Sequence, residues 1–411
     1  MTTPVPHVSG HLREPKVVVL NTHYSGIAIG RDLASAGIEV HGLAANPKFP
    51  GNRSRTIHYR ASPDSHTDPQ GLLAALRSLA TEIGDGAILF PTRDHDINFI
   101  CNYREALKSI FTIPLAVNHV IGQVLDKELC ADAAQECGIR VPRQVVVRSR
   151  KELEAASTLR FPCVCKPVRA SDWRTREVWD LVGHRKAVKL DNARALLEFY
   201  SPLEVVAPAV VVQEWVEGPD TNLRIFGSYC SKNSDVLGYF TAHKVLQAPP
   251  LTGTGIIVQA QLHPEVVGPS TALLRALKFT GLSEIEYKID DRDGSLNLIE
   301  INPRHWDQHG LGTAVGVNLS LVAWCDLSGR EVPQFTQKET AVVWIAEGEF
   351  AYEFLRGIAS RSPTRPTLGL IRGVRTFAVW SLADPKPAAA MFADWCADTL
   401  GAVRRRLTAR I

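Results

Sequence analysis

The 411-residue chain has no large excess of charge of either sign. Its 46 Lys and Arg face 43 Asp and Glu, a formal net charge of +3 at pH 7. That balance gives no electrostatic reason to expect nucleic acid or an anionic membrane as a partner. Long apolar runs are missing as well. No stretch reaches the roughly 18 apolar residues of a membrane span, and the opening "MTTPVPHVSGHLREP" has no apolar segment of signal-peptide length. A cytoplasmic protein is the expectation. The eight cysteines lack the spacing of a zinc site. In "FPCVCKPV", Cys163 and Cys165 share one strand face and Lys166 takes the other, which suits buried free thiols. No Ser-His or Cys-His arrangement suggests a protein nucleophile. The glycines of "NTHYSGIAIGRDL" form only a Gly-x-x-x-Gly pair in place of the dinucleotide fingerprint, which disfavours a nicotinamide oxidoreductase.

What is present is ordinary globular composition, 45% hydrophobic and 22% charged, in a chain long enough for two or three packed domains. "KVVVLNTHYSGIAIGRDLASAGIEVHGLAAN" reads as a strand at Lys16 to Leu20, an amphipathic helix after Gly26 and a second strand at Glu39 to Leu43. The pattern recurs up to "ILFPTRDHD", so about the first 115 residues predict an open parallel α/β domain. Its ligands should gather at strand ends, at Thr22 to Gly26 and Thr92 to Asp96. A new domain is expected from Asn118, with a helix near Asp126 and Lys127 closed by Gly138. Strands dominate from Val210, a helix is read at Ser270 to Lys278, and Asp293-Gly294 marks a hairpin turn. A further strand and helix set follows Gly329.

That hairpin carries the densest chemistry. Alternation puts Glu284, Glu286 and Lys288 on one face of its first strand, and Leu298, Glu300 and Asn302 on one face of its second. Facing carboxylates repel unless a cation lies between them, so Glu286, Glu300 and Asn302 are a candidate magnesium cradle. A solvated face with Lys288 and Arg304 as ion-pair partners is the plainer alternative. Upstream, Lys166 stands alone on its strand face, with Lys186 or Lys189 as a second basic position. "VVVQEWVEGPD" runs an apolar strand into Gln213, Glu214, Trp215, Val216 and Glu217, which could present backbone groups to an adenine and a carboxylate to ribose hydroxyls.

Taken in order, Asp126-Lys127, "CVCKPV", "VVVQEWVEGPD", "EIEYKID" and "LIEINPR" resemble the ATP-grasp superfamily. The chain is similar, more narrowly, to the carboxylate-amine ligase branch (ATP-dependent carboligases), over nearly its whole length. The resemblance implies an α/β and α+β multidomain fold, an N-terminal Rossmann-like pre-grasp domain followed by a two-lobed ATP-grasp fold. The corresponding ranges are 1–117, then a small lobe at 118–212, a large lobe at 213–330 and a C-terminal extension at 331–411. It implies ATP and Mg²⁺ (Mn²⁺ as a substitute) as cofactors, with Lys127, Lys166 and Lys186 on phosphates or base, Gln213, Glu214, Trp215 and Val216 at the adenine edge, and Glu217 on the ribose. It assigns Glu286, Glu300 and Asn302 to the metal, Arg304 to the transferring phosphoryl group, and a catalytic part to Lys244 in the basic segment "AHKVLQAPPLTGTG".

One departure stands out. Where many members have a glycine-rich flap, this chain has "PVRASDWRTREVWDLVGHRKAV", with no glycine before Gly183. Arg169, Arg174, Arg176 and His184 could supply side-chain donors there, or decorate a solvated loop. The chemistry implied is ADP-forming C–N ligation of small-molecule carboxylate and amine substrates through an acyl phosphate, with no nucleic acid and no membrane, and with a homodimer allowed. A carboxylase or carbamoyl-phosphate type of synthetase, and a non-catalytic ATP-binding protein, are the alternatives. For the substrate pocket, His23, Tyr24, Ser25, Arg93, Asp94, Trp306, Asp307 and His309 suit a zwitterion. Arg93 would take a carboxylate and Asp94 or Asp307 an ammonium, unless Arg93 and Asp94 simply pair with each other.

Overall fold

Short apolar strands at the start of the chain pair in parallel. The computed structural model describes residues 14–207, 209–359 and 366–408. The opening segment read above for a leader is therefore, except for Glu14 and Pro15, outside the described residues. Val17–Leu20 lies at the centre of a five-stranded sheet, with Val40–Ala44 and His58–Ala61 on one side and Ala87–Phe90 and Phe111–Thr112 on the other. All four pairings are parallel. Strand order reverses about Val17–Leu20, so a crevice opens between the loops after it and after Ala87–Phe90. Those loops lead into the helices Tyr24–Ala34 and Asp94–Asn102.

A second sheet is antiparallel, in the order Gln144–Val147, Val210–Glu214, Cys163–Pro167, Val188–Leu190. Cys163 and Cys165 point into its apolar core with Tyr200 and Leu203. Alternation then turns Lys166 to the other face, as the sequence suggested. The boundary expected between residues 212 and 213 falls inside the strand Val210–Glu214, which belongs wholly to this sheet.

The third sheet has seven strands: Leu296–Asn302, Gly281–Ile289, Leu223–Cys230, Val236–Ala248, Thr254–Ala260, Val342–Ile345 and Val374–Phe377, in that spatial order. The segment beyond Gly329 thus extends this sheet by two strands rather than only packing on it. The helix read at Ser270 to Lys278 runs Pro264–Ala276. Pro264 sits in the first turn, where its missing N–H costs nothing, and Pro269 is accommodated inside. One continuous core joins Val18, Leu20 and Ile97 to Val120, Phe226, Ile285 and Tyr287. Each such side chain stabilises by about 1.5–3 kcal/mol on full burial, so the first sheet and the seven-stranded sheet are held in one arrangement across residue 118.

Candidate active site

The three sheets meet around a cleft of about 780 Å³. Its basic wall begins at the helix Lys127–Glu136, whose cap Asp126 accepts the N–H groups of Glu128 and Leu129. The Lys127 N–H donates to Val168 O, which ties the helix start to the end of the Lys166 strand. Lys166 is buried, and its Nζ donates to Gln213 Oε1 at 2.9 Å. Gln213 Nε2 in turn donates to Gln144 Oε1 at 3.0 Å, so both ends of that amide are fixed. Burial, reinforced by Lys127, pulls the Lys166 ammonium down to about 8. Lys186 reaches Thr254 Oγ1 at 2.6 Å from the far end of the flap.

The acidic wall is the expected hairpin. Glu286 lies opposite Glu300, and Glu284 opposite Asn302. The strict alternation read from sequence fails at one point. An extra residue, Ile299, interrupts the register, so Leu298 pairs with Tyr287 and joins the core instead of sharing a face with Glu300. Asn302 Nδ2 donates to Glu284 Oε2 at 3.0 Å and Glu300 Oε1 at 3.3 Å. Lys244 Nζ lies 2.7 Å from the Glu286 carboxylate, both side chains being buried. Burial and then Glu286 push Glu284 up to about 8. Burial raises Glu286 too, against Lys244 and with Glu300. Glu300 ends below the usual range despite burial, because Lys127, Lys244, Lys186 and Lys166 surround it.

These groups fit a divalent cation. Glu284 Oε1 is buried with no hydrogen-bond partner, and three carboxyl groups crowd one sheet face. Among the described residues no three His, Cys, Asp or Glu side chains form a metal cage of their own. Magnesium suits that shortage, because it is usually held by one or two carboxylates together with substrate phosphates and water.

At the crevice side the expected pairings change. Arg304 Nε donates to Asp94 Oδ1 at 2.7 Å, and its other nitrogens reach His305 O and Asn302 Oδ1. Arg93 does not pair with Asp94. Its guanidinium is committed to Asp64 Oδ2 at 2.8 Å and to the buried Asp96 at 2.8 Å, so it staples a loop rather than waiting for a substrate carboxylate. Arg93→Ala is therefore expected to lower stability by about 1–3 kcal/mol, discounted for the partial exposure of Arg93. A urea titration checks this; a pure substrate-binding loss at unchanged stability would restore the earlier reading.

His23, Ser25, Trp306 and Asp307 line the cleft, with Ser25 Oγ donating to Asp307 Oδ1 at 3.1 Å. Tyr24 does not. It is buried in the core and its hydroxyl donates to Glu349, because the helix start turns it away from its neighbours. His309 is also turned inward, with Nδ1 on Trp306 O at 2.8 Å and Nε2 toward Asp32. Trp215 and Val216 line the wall beside Gln213, and the Trp215 ring lies 4.7 Å from both Lys189 and Lys288. Glu214 also lines the cleft, its carboxylate accepting the Arg160 N–H at 3.0 Å, while Glu217 is not among the lining residues. Gln144, Gln247 and Gln308 line the cleft and were missed. Neutral amides carry no charge pattern by which a sequence could mark them.

No family model matches the chain. A D-aspartate ligase of Enterococcus faecium (strain Aus0004) is 22% identical over 324 residues, covering 73% of this chain and 76% of that protein. Among solved structures, an ADP complex of purK, N5-carboxyaminoimidazole ribonucleotide synthetase, superposes with a TM-score of 0.63 at 14% identity, over 84% of this chain and 85% of that one. An L-amino acid ligase from Bacillus licheniformis gives 0.57 at 19% identity, over 77% and 74%. The chain therefore shares its fold with these synthetases and ligases, and its ordered motifs and sequence are similar to those of ATP-dependent carboxylate-amine ligases.

Proposed function

We propose that the protein joins a carboxylate to an amine at the expense of ATP, through an acyl phosphate, with an amino acid or short peptide as one substrate. The observation that carries this reading is the opposition of Glu286 and Glu300 on paired strands, faced by Lys166, Lys186 and Lys127 and flanked by Arg304. Lys127, Lys166 and Lys186 hold the phosphates, and the segment from Gln213 to Val216 borders the base. Magnesium, or manganese in its place, would be held by Glu286, Glu300 and Asn302 and would neutralise phosphate charge. Arg304, oriented by Asp94, meets the transferring phosphoryl group.

A carboxylate oxygen attacks the γ-phosphorus, ADP leaves, and the acyl phosphate forms. The amine then attacks the carbonyl carbon, phosphate leaves, and loss of the amine's proton yields the amide. The protein's part is to position reactants and exclude water. We assign residues 1–117 to a Rossmann-like pre-grasp domain, 118–214 to the small lobe, 215–330 to the large lobe, and the remainder to an extension that completes the large sheet. Among the described residues no helix is long and apolar enough to cross a membrane, and a cytoplasmic site and a homodimer complete the proposal.

The test is incubation of the purified chain with ATP, magnesium and pools of amino acids, scored for phosphate release and new product masses. Bicarbonate-dependent turnover without an amine would favour the carboxylase reading, which the fold shared with the N5-carboxyaminoimidazole ribonucleotide synthetase keeps open. Nucleotide binding without any turnover would favour a non-catalytic role.

Lys166 adds a pH dependence. Phosphate favours its charged form, so ATP affinity is expected to be full below pH 8 and to fall as pH rises through about 8. Stability runs the other way. The unfolded chain keeps that proton up to the ordinary lysine value of 10.5, so the nucleotide-free protein gains stability between about 8 and 10.5. Calorimetric titration of ATP at pH 7 and pH 9 checks the first sign, with Lys166→Met expected to flatten the dependence.

A further inference from the structure

The amide-forming step needs a group to take the proton of the amine. At neutral pH an amine arrives as an ammonium, and its nitrogen cannot attack until a proton leaves and frees the lone pair. Six carboxyl side chains line the cleft. Five are committed. Asp94 holds Arg304, Glu214 faces Arg160, and Glu284, Glu286 and Glu300 form the acidic wall of the hairpin, with Lys244 on Glu286. Asp307 differs. Among the described residues its one hydrogen bond comes from the Ser25 hydroxyl, at 3.1 Å on Oδ1, and no cation pairs with it. A neutral donor fixes the carboxylate without cancelling its charge, and Oδ2 keeps its accepting capacity.

Two features fix where that charge sits. Ser25 belongs to the first turn of the helix Tyr24–Ala34, behind a tight bend. Asn21 there is left-handed at φ 74°, its side chain accepts the His23 N–H at 3.0 Å, and a Cβ on Gly26 would collide with Asn21 O. Asp307 itself follows Arg304 closely in the chain, and its charge acts on both Arg304 and Lys186. The carboxylate therefore lies toward the end of the cleft where the acyl phosphate forms. A negative group repels phosphate, so what it meets there is a cation. The metal cradle is tied together by Asn302, which bonds Glu284 and Glu300, whereas Asp307 is held by a helix of the first domain.

We infer that Asp307 holds the ammonium of the amine substrate and takes its proton, as the general base of the amide-forming step. This role deepens the ligase reading and rests on it. One N–H electron pair becomes the nitrogen lone pair as the proton passes to Asp307 Oδ2. The neutral nitrogen attacks the acyl carbon, phosphate leaves with the C–O electron pair, and the second proton lost by nitrogen leaves on the phosphate. The Asp307 proton then returns to solvent. A base positioned in this way contributes about a hundredfold to ten-thousandfold in rate. Ser25 is its positioning residue.

The test compares two nucleophiles, using the full chain with ATP, magnesium and a pool of amino acids as donors. Hydroxylamine is uncharged at neutral pH and captures an acyl phosphate as the hydroxamate with no ammonium to deprotonate. The amine acceptor identified from the same pool does need a base. Wild type should form both products. Asp307→Asn, nearly isosteric and still able to accept the Ser25 hydroxyl, should lower kcat/KM for the amine by about a hundredfold or more and leave hydroxamate formation within about threefold. Amide formation by the variant should also rise by about tenfold per pH unit, as solution supplies the free amine, while wild type responds less steeply. Equal losses of amide and hydroxamate at an unchanged melting temperature would put Asp307 in the phosphoryl step or on the metal and overturn the inference. Unchanged amide formation would overturn it too, and its loss in His23→Gln instead would give the proton to the imidazole that also lines the cleft. If Asp307→Asn is too unstable to assay, Ser25→Ala decides, with amide formation expected to fall about tenfold against unchanged hydroxamate and an equal change in both overturning the inference. Absence of hydroxamate from wild type with every donor would instead sink the ligase reading, and the inference with it.

Discussion

Glu300→Gln is expected to lower turnover by roughly a hundredfold or more while leaving the fold intact. The substitution is nearly isosteric, and Glu300 sits on an edge strand with its carboxylate toward the cleft, so packing is barely touched. What changes is charge. Four lysines hold Glu300 ionised, whereas burial and mutual repulsion raise Glu284 and Glu286. Glu300 is therefore the carboxylate best placed to stay negative at neutral pH, and the one whose loss most weakens a bound cation. Steady-state phosphate release beside a melting curve checks this. Near-normal turnover would remove the metal cradle from the account.

The second large effect concerns Lys166. Lys166→Met should weaken ATP binding by about tenfold to a hundredfold, the worth of one charge-assisted contact to phosphate. Without nucleotide the variant should be no less stable, and it gains from burial of a thioether where an ammonium was penalised. One cost opposes that gain, since Gln213 Oε1 loses its donor. Affinity and melting temperature should thus move apart, which a purely structural lysine would not produce. Unchanged ATP affinity would return Lys166 to an ordinary role in the strand.

The site was legible where chemistry repeats at a strand's own period. Lys166 on the face opposite Cys163 and Cys165, and Glu300 and Asn302 on one face of their strand, follow from alternation alone. The bulge at Ile299 was not legible, because no glycine or other turn residue marks it. Nor were the crevice pairings. Arg93 finds Asp64 rather than Asp94, and Asp94 finds Arg304, 210 positions away, a choice made by the packing of the first sheet on the third. Tyr24 and Glu349 are 325 positions apart, and His309 meets Asp32 only across the same interface. Residue types in loops announced a polar pocket; which of them faced it depended on contacts no local pattern encodes. The C-terminal strands escaped for a similar reason. Val342–Ile345 reads as an apolar strand, but its pairing with Thr254–Ala260 is a long-range fact.

The central claim is that a carboxylate is activated by phosphorylation and then captured by an amine. Its most direct test is to supply a donor labelled with oxygen-18 in both oxygens of its carboxylate, with unlabelled ATP and water. Mass analysis then follows the oxygen in the released phosphate and in the amide. The account predicts one labelled oxygen in each phosphate formed, in a one-to-one ratio with amide and ADP. Phosphate without label, or one labelled oxygen carried into AMP, would contradict it.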